Sequence, residues 1–188
     1  REIPCLPCKP AILSEQLAHA QPSSEMKLSH GRHLAYCTNV HRGSDWTETF
    51  SSLEQQVMQV RKIVCPSDSF AIGLRLSATA ACELSQPEEL SKFRNWLGEN
   101  DAYVFTINGF PYGNFHGQPV KEEVYRPDWT DPRRLEYTVA LFEILASLLP
   151  EGEEGSVSTL PASFKEFHPS GRLPEQAYKH LLDYAQRM

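Results

Sequence analysis

Four polar stretches each follow an apolar run, and they hold the side chains best suited to chemistry: Asn39 and His41, then Arg75 and Ser77, then Asn108, Tyr112 and His116, then Ser158 and Thr159. Amides, hydroxyls and imidazoles offer donors and acceptors side by side, and the interleaved aromatics add flat apolar faces. Such a lining suits a polyhydroxylated ligand, phosphorylated or not, better than an apolar one. Each residue also has a plainer reading. His41 is either a ligand contact or a surface loop residue, and His116, beside Gly117, is a metal ligand, a general base or a loop brace. Arg75 either grips a phosphate or carboxylate in bidentate fashion or pairs with an acid on a neighbouring strand. Asn108 ends the clearest apolar run and belongs to the site by position.

A segment of some twenty residues, 109–129, carries Lys121, Tyr125, Arg126, Asp128 and Trp129 with little regular pattern. Loops of that length in compact domains are usually functional. This one reads as a lid over a ligand or as an Ω-loop bracing the rim. No strand end offers a Glu and Asp pair for a divalent cation, and no nucleophile elbow or phosphate loop occurs. The sequence has binding chemistry without a complete catalytic engine.

The elements that must place these residues follow from periodicity. Residues 34–40 read as a buried strand. Asp45 with Glu48 opens a helix whose Trp46, Phe50, Leu53, Val57, Val60 and Val64 form one apolar stripe, and Pro66 ends it. Residues 70–76 form a second strand in which Gly73 and Arg75 stand out, with Arg75 expected at its carboxyl end. Helical pieces at 78–84 and 87–97, a strand at 103–107 and a helix from Pro132 follow. A strand at 156–160 and an amphipathic helix at 174–187 complete the order β-α-β-α-β-α-β-α. Such alternation means parallel pairing with right-handed crossovers. A dinucleotide fold would need a glycine-rich first turn, and residues 39–44 hold a single glycine, Gly43. The expected fold is α/β: parallel (β/α) units forming the N-terminal half of a TIM barrel, with residues 26–188 as that half and 1–25 as a poorly ordered extension.

The 18 basic and 24 acidic side chains give a net charge of −6, which leaves no electrostatic footprint for nucleic acid. No apolar run is long enough to insert in a membrane. The opening residues lack a signal-like apolar core, so the cytoplasm is the expected compartment. Five cysteines are too scattered for a disulfide scaffold, and the Cys5–Cys8 pair has no strand and helix around it to make a redox site.

Tyr36-Cys37-Thr38-Asn39-Val40-His41, Gly73-Leu74-Arg75-Leu76-Ser77, and Tyr103 through Gly113 with its Asn108-Gly109-Phe110-Pro111-Tyr112 core are the longest distinctive motifs. Together with Phe115-His116-Gly117, Val120-Lys121, Val124-Tyr125-Arg126-Pro127-Asp128-Trp129 and Ser158-Thr159-Leu160-Pro161, they resemble the metabolite traffic protein EboE family over residues 33–165. The resemblance implies a xylose isomerase-like barrel of the sugar phosphate isomerase/epimerase superfamily, in bacteria, serving the traffic of a secondary metabolite. It also implies a barrel-mouth position for Asn39, His41, Arg75, Asn108, Tyr112, His116 and Lys121. The divalent metal of that superfamily is held by carboxylates and a histidine on later strands than those present here. Expected functions are therefore a metal-dependent sugar isomerase or epimerase, or a non-catalytic hand-over protein using the same mouth. A third is a half-barrel whose open edges are covered by further barrel units or by a second copy.

Overall fold

A computed structural model describes residues 26–113 and 121–187. Four strands form one parallel sheet whose order follows the chain: β3 (Tyr36–Cys37), β4 (Phe70–Arg75), β5 (Ala102–Asn108) and β6 (Ser156–Ser158). A small antiparallel hairpin, β1 (Lys27–Leu28) and β2 (Arg32–His33), precedes it. Sequence periodicity gave no hint of this hairpin. It is anchored at long range: His33 Nδ1 lies 2.8 Å from Tyr103 Oη and its Nε2 lies 3.1 Å from Glu153 Oε2.

The expected alternation is present, with parallel pairs throughout the four-stranded sheet. The first strand is shorter than expected. After Cys37 the chain turns into a 3-10 turn (Thr38–Val40), closed by His41 N donating to Thr38 O at 3.0 Å. Thr38 Oγ1 then accepts from Arg75 N at 2.8 Å, so this side chain replaces the next rung of the ladder.

Helices flank the sheet. α1 (Trp46–Ser52) continues through a π-helical turn (Leu53–Val57) into α2 (Met58–Val64). Its start is capped as the sequence predicts: Glu48 N donates to Asp45 Oδ1 and Ser44 N to Glu48 Oε2, both at 2.8 Å. α3 (Ala78–Leu84) is capped by Ser77, α4 spans Pro87–Glu99, α5 (Pro132–Leu148) is capped by Asp131, and α6 spans Glu175–Arg187. Aromatic edges lock α1 to α4, with Trp46 and Phe93 ring centres 4.9 Å apart.

Register sorts the strand residues onto two faces. Ile72 pairs with Val104, and Leu74 with Ile107, which pairs in turn with Val157. The first four of these are fully buried in the core with Leu141 and Ile144 of α5. The opposite face carries Cys37, Gly73, Arg75, Thr106, Asn108, Ser156 and Ser158 in matching register. Gly73 allows a close approach there, since a Cβ at that position would sit 3.1 Å from Cys37 Sγ. Among the described residues no helix is long and apolar enough to cross a membrane.

Candidate functional site

The polar face runs toward the carboxyl ends of the strands. Thr106 Oγ1 and Ser156 Oγ are 2.9 Å apart across the β5–β6 pair. One step further, Ser158 Oγ donates to Asn108 Oδ1 at 2.8 Å, and Phe110 N donates to the same oxygen at 3.1 Å. Both bonds fall on the carboxamide oxygen, so the two N–H donors of Asn108 take no part in them. Ser156 and Ser158 are exposed, and Thr106 and Asn108 half-buried. The result is a solvent-facing row of hydroxyl and amide groups backed by a dry apolar core.

Arg75 ends β4 beside Asn108 in register and is buried at 3% exposure. Its guanidinium donates to Gly43 O at 3.1 Å, Pro111 O at 3.4 Å and Gly113 O at 2.7 Å. It therefore ties the loop after β3 to the loop after β5. Burial lowers its pKa from the usual guanidinium value, the direction expected for a cation surrounded by carbonyl dipoles rather than by water.

Asn39 lies in the turn after β3 with its Oδ1 buried and without a hydrogen-bond partner. His41 follows, its Nε2 at 2.9 Å from Tyr36 Oη, and it borders both the crevice that Arg75 lines and an open cleft of about 640 Å³. That cleft, walled by Asp45, Glu48 and Gln56 of the α1 side, includes none of the other candidate residues. Tyr112 turns away from that end of the sheet. Its ring packs edge-on to Tyr137 of α5 at 5.0 Å, under the guanidinium of Arg134, in a groove between α3 and α5. His116 lies outside the described residues, and Lys121 begins a 3-10 turn (Lys121–Tyr125). The structure thus gathers Asn39, His41, Arg75 and Asn108 at one end of the sheet and sends Tyr112 elsewhere. Of the other strand-end residues, Ser77 is spent as the cap of α3, donating to Ser44 O at 2.7 Å.

The described parts of the long loop pack as a brace. Tyr125 stacks on Phe164 at 4.8 Å, Arg126 lies 4.0 Å over Phe167, and Trp129 Nε1 donates to Leu160 O at 2.9 Å. Asp128, at 4% exposure, accepts from Thr130 N at 2.9 Å, from Thr130 Oγ1 and from Ser163 Oγ. Burial alone would push its carboxyl up, but the Ser163 and Thr130 hydrogen bonds, helped by His168, outweigh it and hold the pKa low. The Ser163–His168 pair, with Lys165 and Arg172 beside it, was not expected from the sequence. No periodicity marks it, and only its place after the last strand signals it.

The strand tips present amides, an imidazole and hydroxyls but no carboxylate, and among the described residues no three His, Cys, Asp or Glu side chains converge. They do not by themselves make a divalent-metal site, whose ligands the resemblance places on later strands. No family model, no curated protein and no solved structure matches the chain.

Proposed function

We propose that the chain contributes four consecutive units of a xylose isomerase-like (β/α) barrel and binds a polar, sugar-like metabolite at the carboxyl ends of its strands. On this reading it acts in metabolite traffic of the kind its motifs resemble. The observation that carries it is the Thr106–Ser156 and Asn108–Ser158 row. Alternate positions on the same strands are apolar and fully buried at Val104 and Ile107, so these polar positions have a separate purpose. Paired hydroxyls and a carboxamide whose N–H donors take no part in those bonds match the alternating donors and acceptors of a polyol. The sequential strand order also supports it, because right-handed crossovers between successive neighbours keep all the helices on one face and leave the other as a common ligand face.

The test is equilibrium binding of a panel of aldoses, ketoses and their phosphates to the wild-type chain and to Asn108→Ala and Ser158→Ala. Affinity should fall roughly tenfold in Asn108→Ala, the size of one lost charge-free hydrogen-bond set. Equal affinity in all three proteins would remove the strand-tip site. A chelator separates the two functional forms. Binding that survives it, with no isomer formed, fits hand-over; isomer formation that it abolishes fits a metal-dependent isomerase or epimerase.

A further inference from the structure

The loop after β6 folds back on itself through a 3-10 turn (Lys165–Phe167) and a turn in which Gly171 N donates to His168 O at 2.8 Å. Gly171 adopts φ 68°, a left-handed conformation natural to glycine. This path puts Ser163, Lys165, His168, Gly171 and Arg172 around a cavity of about 210 Å³. Lys165 and Arg172 form no ion pair among the described residues, unlike Lys179 and Arg187 on α6, which pair with Glu175 and Asp183. Glu166, next to Lys165, is not part of the wall. Two unpaired cations on one small concave surface focus positive potential there.

Serine, histidine and aspartate in contact suggest a nucleophile, but the proton accounting excludes it. Asp128 accepts from Ser163, whose single hydroxyl hydrogen is thereby used. Ser163 Oγ must then accept from His168 Nε2 at 2.8 Å, so that nitrogen carries the hydrogen. The imidazole is a donor to the serine and not its base, and the trio cannot deprotonate Ser163. Instead it fixes the wall of the cavity, with the Asp128 charge buried behind it and absorbed by Ser163 and Thr130.

We propose that this cavity is an oxyanion subsite for a phosphate-type group, held by the Arg172 guanidinium and the Lys165 ammonium. Arg172 supplies planar donors that suit two phosphate oxygens at once, and Lys165 supplies a point charge. The cavity has room for a phosphoryl group with its first waters. It lies on the loop that follows Ser158, at the same end of the sheet as the polar row. Preference for a phosphorylated over a free sugar would follow, a consequence that rests on the function proposed above; the binding of phosphate itself does not.

The experiment is titration of the chain with inorganic phosphate at constant ionic strength, with chloride as the control, followed by backbone NMR. Saturable shifts should centre on residues 163–172, and Lys165→Ala/Arg172→Ala should weaken binding at least tenfold with an unchanged circular dichroism spectrum. Arg172→Lys should recover part of the affinity. Absence of saturable shifts, or a double variant that binds like wild type, overturns the subsite. Asn108→Ala separates the two readings, since it should weaken sugar binding and leave phosphate binding intact. A sugar phosphate that binds no tighter than its free sugar, while inorganic phosphate still binds, would detach the subsite from the mouth without removing it.

Discussion

At the scale of single residues, the side chains that look most reactive are often the ones the fold consumes. Arg75 holds three backbone carbonyls and Ser77 caps a helix. Asp128 is the clearest case with a measurable consequence. Its native pKa is depressed, so the carboxylate adds stability above its unfolded pKa, and that stability is lost as pH falls through the native value. Asp128→Asn should cost roughly 1–3 kcal/mol near neutral pH, the range for a broken buried hydrogen-bond network. The gap between variant and wild type should then close as pH drops below about 4. Urea unfolding across that range measures it, and a gap that does not change with pH would show that Asp128 is not ionised in the native state.

At the scale of elements, backbone proximity decides which strand joins hold. Gly109 N donates to Ser158 O at 2.9 Å, and a Cβ on Gly109 would lie 2.7 Å from that oxygen and from Leu141 Cδ1. Gly109→Ala should therefore pry β6 from β5 and lower stability by roughly 1–3 kcal/mol, as overpacking generally does. A melting temperature within a degree of wild type would contradict that. The same scale shows what could be read in advance. The strand at Ala102–Asn108 and the helix at Pro132–Leu148 were legible because apolar period and capping residues agree locally. The strand-tip position of Asn108 followed from that strand, and those of Asn39 and Arg75 from the apolar runs before them. The hairpin at Lys27–His33 was not legible, since its anchors, Tyr103 and Glu153, are remote in sequence. The direction of Tyr112 was not either, because it is set by Arg134 and Tyr137, a helix turn that no loop motif reveals.

At the scale of the whole molecule, the sheet is uneven. All six residues of β4 are buried, whereas β6 exposes Ser156 and Ser158, and β3 has only two residues in the ladder. Amide hydrogen exchange should be slowest in β4 and β5 and fastest at the two outer strands, since local opening follows buried contacts. Equal protection in all four strands would mean that the outer edges are covered in solution by a partner.

Arg75 also bears on how the strand-end loops can change shape. A single guanidinium holds the carbonyl of Gly43 and those of Pro111 and Gly113. The first and third rims are therefore riveted to one head, and neither swings outward without dragging its opposite number or snapping a shared joint. Anything that presses on either rim meets two posts that move in step.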